Sequence, residues 1–431
     1  MDCSPNNLCY FARSSFSGRE QLVGIGHKDR RNHFYIVGKT GTGKTTMLEN
    51  MLISDIRNGH GVGIVDPHGD LSQRLLSFIP SERTNQVVYI NPADEQWPVA
   101  FNPLAHSNAE GVHLLASTLV SVFKKTWADS WGPRLEYILR NVVLTLLECP
   151  HSTLLWANRL LVEDRFRKKV VSKIEDPLVR SFWLEEYNKY PERLLREVIS
   201  PLQNKLGALL SSRPIRNIVG QEKSLLAIDH LMDSGKILII NLSKGLIGED
   251  ASRLLGTLLV TEIQLAAMAR AKMPEDKRRD FYFYIDEFQN FSTQSFADIL
   301  AEARKYRLNL ILAHQYMGQL EPEIKSAVLG NVGTMVVFRV GADDAKELEN
   351  EFLPEYGWLD LVNLFPYEIY YKLMKNGKVL RPYPGDSLPP ANDQLRCNIE
   401  DKIINCTRTR YCRPREVVER KIEEWLAHPH L

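Results

Sequence analysis

Eight consecutive residues, Gly38-Lys39-Thr40-Gly41-Thr42-Gly43-Lys44-Thr45, fit the spacing G-x-x-x-x-G-K-[ST], the pattern of a loop that cradles phosphate groups. The residue types explain the chemistry. Glycines let the backbone turn tightly enough for successive N–H groups to face anionic oxygens, and a helix N-terminus adds partial positive charge. Lys44 can reach the two outer phosphates, and Thr45 offers a hydroxyl to Mg²⁺, a cation that takes only one or two protein ligands and keeps several waters. These residues, with Thr46 at the next position, read as a binding site for ATP and Mg²⁺.

A second constellation follows an apolar run. Phe281-Tyr282-Phe283-Tyr284-Ile285 ends in Asp286-Glu287, which places two carboxylates at a strand's C-terminal end, where open α/β sheets bind ligands. Asp286 is read as holding Mg²⁺ through water, and Glu287 as orienting and deprotonating an attacking water. The plainer alternative is that both acids cap the helix after Ser292. Seventeen residues beyond Glu287 stands Arg304, and further on His314-Gln315 ends another apolar run. Gln315 could touch the terminal phosphate or the water. Arg304 could reach a neighbouring subunit's nucleotide, or simply compensate a helix dipole. His314 is read as structural.

Weaker candidates remain two-sided. Asp66 and His68 either line the nucleotide pocket or serve a turn built on Pro67 and Gly69. Arg339 is either a second phosphate sensor or the partner of a nearby acid. The basic runs Lys28-Asp29-Arg30-Arg31, Arg165 to Lys169 and Lys277-Arg278-Arg279 could meet DNA phosphates or be solvated surface.

The elements that must position these groups alternate strand and helix, the pattern of a parallel sheet with helical crossovers. Phe34 to Val37, Val62 to Val65 and Val87 to Ile90 read as strands, with a helix from Thr45 to Asn58 stopped by Gly59. From about Ala105 to Gln221 only amphipathic helical stretches occur, such as Leu135 to Leu147 and Glu192 to Leu210. Strands resume at Ile237 to Leu242, Phe281 to Ile285, Leu308 to Ala313 and Thr334 to Val340, ending near an Asn376-Gly377 hairpin signal. The expected fold is α/β, a RecA-like P-loop NTPase domain with an inserted all-α domain. Its expected parts are an N-terminal segment (1–30), a first ATPase part (31–104), the α insertion (105–225), a second ATPase part (226–381), and a C-terminal tail (382–431) with a short helix near Val417 to Leu426.

Composition sets outer bounds. A chain of 431 residues that is 44% apolar and 25% charged has ample material for a core, and its formal net charge of +1 gives no bulk argument for nucleic acid. Any DNA surface must be local. The most apolar stretch, Leu254 to Ala269, is interrupted by Thr257, Thr261, Glu262 and Gln264, so no membrane span is expected and a cytoplasmic place is. Cys3, Cys9, Cys149, Cys397, Cys406 and Cys412 contain no C-x-x-C pair and read as free thiols. The last three, with His428 and His430, match no zinc spacing.

The ordered segments GKTGTGKTT, SDIRNGHGVGIVDPHGDL, FYIDEFQNF, EARKYRLNLILAHQYMGQL and NVGTMVVFRVGADDA resemble the HerA/FtsK group of ring ATPases. Within it they are most similar to the conjugative coupling proteins of type IV secretion, the TraD/TrwB type. The resemblance spans roughly Gly24 to Gly341 and includes the helical insertion. It implies a homo-hexamer with a central pore, ATP sites at subunit interfaces and DNA, single- or double-stranded, as the track. It maps Lys44 and Thr45 to the Walker A pair, Asp286 and Glu287 to the Walker B pair, Gln315 to the glutamine sensor and Arg304 to the arginine acting in trans. Implied partners are a relaxase or a secretion-channel protein, which would recruit the chain to a membrane. A soluble translocase working beside a nuclease, and a nucleotide-gated scaffold that moves no DNA, are the alternatives.

Overall fold

Runs such as Phe34-Tyr35-Ile36-Val37, with no charge and alternate positions all apolar, are stable only where both faces of a strand are covered. The computed structural model describes residues 8–16, 19–105, 112–127 and 131–427. Its strands are β1 (Leu8–Phe16), β2 (Arg19–Gly26), β3 (Phe34–Val37), β4 (Gly61–Asp66), β5 (Val87–Ile90), β6 (Ile237–Asn241), β7 (Phe281–Ile285), β8 (Leu308–His314), β9 (Thr334–Val337), β10 (Glu368–Lys372), β11 (Met374–Lys375), β12 (Lys378–Val379) and β13 (Tyr383–Ser387). All but β11 and β12 join one 11-stranded sheet in the order β2-β1-β13-β10-β9-β3-β8-β7-β4-β6-β5. From β9 to β5 every pairing is parallel, and helices cover both sides. At the other end β10, β13, β1 and β2 pair antiparallel.

The chain divides into two units. The first, 1–90, 228–242 and 263–406, holds the sheet. On one face the helix Lys44–Arg57 lays Met47, Leu48, Met51, Leu52 and Ile56 onto Phe34, Ile36, Ile64 and Tyr284, all buried. Beneath them Arg30, 1% exposed, donates to both oxygens of Asp55 at 2.6 and 2.8 Å. Tyr284 Oη donates to Asp55 at 2.6 Å and accepts from Arg30 at 2.7 Å, and the guanidinium lies 4.0 Å from the Tyr282 ring centre. Such added partners help a buried ion pair to be tolerated, although Arg30 Nε itself has no acceptor.

The second unit, 91–227, 243–262 and 407–431, is helical, including Val112–Thr126, Pro133–Glu148, Glu192–Ser211 and Arg415–Ala427. Among its described residues the only β pairing is an isolated bridge between Val99 and Cys412. Trp183 is fully buried there, its indole N–H donating to Thr145 Oγ1 at 2.7 Å, which meets the rule that a buried indole needs an acceptor.

Four elements, β1, β2, β13 and the helix Glu400–Tyr411, differ from the sequence reading. The sheet continues past the Asn376-Gly377 turn, which does form, with both residues at positive φ (52° and 75°) between β11 and β12. Tyr383-Pro384-Gly385-Asp386-Ser387, within the expected tail, is β13, where Gly385 lets Arg13 pass closely: a Cβ there would sit 2.6 Å from the Arg13 carbonyl oxygen. Residues 8–26, part of the expected N-terminal segment, supply β1 and β2. In the expected tail a helix Glu400–Tyr411 precedes Arg415–Ala427.

One helix, Glu249–Lys272, has the length and composition to cross a membrane, but 67% of its most apolar window is buried inside the protein, the pattern of a core helix. Cys9, Cys149, Cys397, Cys406 and Cys412 are unpaired thiols, and no cluster fit for a metal occurs among the described residues. Cys3, His428 and His430 lie outside those residues.

Candidate active site

The loop after β3 turns on Gly41 (φ 77°) and Gly43 (φ 120°), values open to glycine and costly for other residues. Gly38 is required for a different reason: a Cβ there would stand 2.5 Å from Phe338 Cβ. Thr42 Oγ1 donates to the Lys39 carbonyl at 2.7 Å, so it braces the loop, while Lys39 N–H donates to the Arg339 carbonyl at 2.9 Å. Arg339 thus anchors the loop by its main chain. Lys44 is buried, and its ammonium donates to the carbonyls of Gly38 and, at 3.0 Å, Lys39. Burial holds its pKa below the usual lysine value, with Asp286 and Glu287 pulling the other way. Thr45 is exposed in the first helical turn, and Thr46 beside it is half-buried.

Parallel strands bring the acids to the same edge. Asp286 directly follows β7, is 4% exposed, and accepts the Glu287 N–H at 3.0 Å. Burial, then the negative charge of Glu287 and that of Asp66, push its pKa up to about 7, against the pull of Lys44. The three carboxylates form no ligand cluster, but they gather negative charge around Asp286 with Lys44 as the opposing cation, and that charge at the strand end would favour a cation held by Asp286. Glu287 adopts a left-handed backbone (φ 48°, ψ 48°), an uncommon conformation for a non-glycine residue that concentrates at functional sites. Its Oε1 accepts from Gln315 Nε2 at 2.6 Å and its Oε2 from Gln289 Nε2 at 2.6 Å. Gln315 in turn accepts from Thr40 Oγ1 at 3.0 Å. A continuous chain of hydrogen bonds therefore runs from the phosphate loop through Gln315 to both oxygens of Glu287.

The helix after Ser292 begins at Gln294 with Thr293 at its N-cap position. It is too far along the chain for Asp286 and Glu287 to cap it. Asp66 ends β4 and accepts the N–H groups of His68 (2.9 Å) and Ser72 (2.8 Å), so it shapes the turn and also charges the acid cluster. His68 is exposed and contributes its backbone. His314 is buried, hydrogen-bonded to Tyr35 Oη, and driven down to about 3 by burial and by Lys44. It stays neutral at ordinary pH.

Arg304 is not part of this cluster. It precedes β8, is exposed, and donates to Asn32 Oδ1 at 2.7 Å, at the N-terminal edge of the sheet. β8 has seven residues, so at about 3.3 Å each its ends stand roughly 20 Å apart. Arg304 cannot touch the phosphate loop of its own chain. The basic runs are largely consumed internally: Arg30 by Asp55, Arg31 by Asp280, Arg278 by the Met273 and Lys305 carbonyls, Arg279 by those of Ser234 and Gly59, and Arg167 by Asp164 and two helix carbonyls.

The residue that sequence reasoning missed is Gln289. Only the left-handed turn at Glu287 folds its amide back onto the carboxylate, and no motif spacing announces that turn.

The profile described as the type IV secretion-system coupling protein DNA-binding domain matches residues 21–356 of the 431. The chain belongs to this family. Solved structures agree with that membership at the level of fold. The bacterial conjugative coupling protein TrwBdeltaN70, unbound, aligns at a TM-score of 0.64 and 17% identity over 88% of this coupling-protein chain and 89% of its own. Plasmid coupling protein TrwB in complex with ADP and Mg²⁺ aligns at 0.61 and 17% identity, over 90% and 96%. VirB4 of Thermoanaerobacter pseudethanolicus aligns at 0.54 and 15% identity, over 90% and 98%. No curated protein matches the sequence.

Proposed function

We propose that this chain is a Mg-ATP-dependent motor ATPase that assembles as a homo-hexamer and moves DNA through a central pore for conjugation or type IV secretion. The observation that carries the reading is the hydrogen-bonded path from Thr40 through Gln315 to Glu287. It links the phosphate-binding loop to the candidate base across adjacent strands, the coupling a nucleotide-driven machine needs. The family match and the existence of the fold-related TrwB in complex with ADP and Mg²⁺ support it.

In this mechanism the N–H groups of Thr40 to Thr46 wrap the phosphates, those of Gly38 and Lys39 being held by the His314 and Arg339 carbonyls. Lys44 exchanges its bonds to the Gly38 and Lys39 carbonyls for phosphate oxygens. Thr45 and Asp286 are the residues that would hold Mg²⁺, which neutralises charge on the β- and γ-phosphates when bound. Glu287 takes the proton of the attacking water, and Gln315 aligns that water once its Thr40 contact gives way. His314, neutral and packed near Lys44, adds no competing charge. Arg304, remote from its own site, acts on the neighbouring subunit's nucleotide. The resemblance to coupling proteins supports a relaxase or channel protein as the partner that brings the ring to a membrane.

Steady-state ATP hydrolysis by the purified protein, with and without single-stranded and duplex DNA and with Glu287→Gln as the blank, tests the reading. Strong stimulation by one DNA form is the expected result. Turnover indifferent to both forms in a purified oligomer would remove the motor assignment.

A further inference from the structure

Tyr367 has a left-handed backbone (φ 74°) although it carries a bulky ring, a conformation that persists only where surrounding contacts impose it. Two main-chain bonds do so: its N–H donates to the Thr42 carbonyl of the phosphate loop at 3.0 Å, and its carbonyl accepts the Ser387 N–H at 2.8 Å. The ring does not gain burial in return, being in a residue 55% exposed. Its edge atom Cδ1 lies 3.0 Å from the point a Cβ on Gly43 would occupy, and Ser387 Oγ lies 3.3 Å from that same point. The Ser387 hydroxyl is buried and has no hydrogen-bond partner, a costly state for a polar group unless something else completes it.

The sheet order says what that something is. A γ-phosphate must face Glu287 and Gln315, which follow β7 and β8 on one side of β3. The rest of the nucleotide then leaves the loop on the opposite side, toward β9, β10 and β13, where Tyr367 precedes β10 and Ser387 ends β13. We propose that Tyr367 and Ser387 form the nucleoside seat, the Tyr367 ring stacking on the base and the Ser387 hydroxyl hydrogen-bonding the nucleoside. The seat rests on the nucleotide reading of the loop. Stacking of a base on an aromatic ring is largely indifferent to base identity, and a lone hydroxyl can donate or accept, so the seat favours nucleosides as a class.

Isothermal titration of the full chain with a non-hydrolysable Mg-ATP analogue and with Mg-tripolyphosphate separates the seat from the loop. Tyr367→Ala is expected to weaken the analogue roughly five- to 150-fold, the loss typical of one removed base–aromatic stack, and to leave tripolyphosphate within twofold; Tyr367→Phe is expected to behave as wild type. Should Tyr367→Ala fail to fold, Ser387→Ala is expected to weaken the analogue roughly two- to tenfold with tripolyphosphate unchanged. Equal losses for both ligands would overturn the proposal, because they would show Tyr367 acting through the loop, and so would undiminished binding of the analogue. If wild type binds tripolyphosphate but not the analogue more tightly, the seat fails while the phosphate site stands. If it binds neither, both fail.

Discussion

The side-chain amide of Gln315 donates to Glu287 Oε1 at 2.6 Å while its carbonyl accepts from Thr40 Oγ1 at 3.0 Å. One planar group therefore reads the phosphate loop and the candidate base at once. Gln289 occupies the other carboxylate oxygen at 2.6 Å, so both oxygens of Glu287 carry a donor, and each keeps a further lone pair that can receive a proton. Of the two amides, Gln315 is the one that also touches the glycine-rich loop, through Thr40.

The two glutamines are expected to differ in kinetics. Gln315→Ala should lower kcat roughly a hundredfold, the scale of losing one positioned donor at a reacting centre, with nucleotide affinity preserved. Gln289→Ala should lower kcat less, because it removes a donor only from the carboxylate oxygen that Gln315 does not hold. Steady-state kinetics of both variants checks this. A loss for Gln289→Ala as large as that for Gln315→Ala would contradict their separate roles.

Asp286 links the site to stability. Its folded pKa of about 7 stands above its ordinary value of 3.8, so the folded protein holds the proton more tightly than the unfolded chain. The stability this contributes is fully present below about pH 4 and is lost as pH rises through about 7. Asp286→Asn removes the titration. The melting temperature of the variant relative to wild type should therefore climb between about pH 4 and pH 7 and level off above, while hydrolysis is abolished; a difference flat in pH would contradict the assigned protonation.

The position of Arg304, at the sheet edge away from its own loop, predicts complementation. Homogeneous Arg304→Ala and homogeneous Lys44→Ala should each be nearly inactive. Mixed, they regain part of the turnover, since some interfaces pair an intact loop with an intact arginine. Full activity of homogeneous Arg304→Ala would end its assignment in trans.

The Arg30–Asp55 pair predicts a purely structural effect. Arg30→Ala leaves the Asp55 carboxylate, fully buried, without its cation, a loss of roughly 3–5 kcal/mol. Replacing both partners by apolar side chains, Arg30→Met with Asp55→Leu, should recover most of it. Urea denaturation of the three proteins measures the coupling.

These cases mark where sequence reading succeeds and where it stops. Gly38 to Thr45 and Asp286-Glu287 are legible as candidates because each is a contiguous stretch, and the structure gives each the expected strand followed by a loop. The strands β3, β5 and β7 are legible for the same reason: an unbroken apolar run of four or five residues has few other uses. Arg30 reads like any member of a basic run, since nothing near it in sequence reveals Asp55, 25 positions on.

By itself, then, the sequence determined the alternation that makes a parallel sheet and the family, and it marked the glycine-rich loop and the acidic strand end as the candidate site. Tertiary structure alone decided that β1, β2 and β13 extend the sheet, that Gln315 bridges Thr40 across 275 positions, that Arg304 faces away from its own loop, and that Tyr367 and Ser387 meet beside Gly43. The physical reason is range. Periodicity and motif spacing record interactions between near neighbours along the chain, whereas these relationships come from which strand lies next to which, and that order is set by burying the whole apolar surface at once.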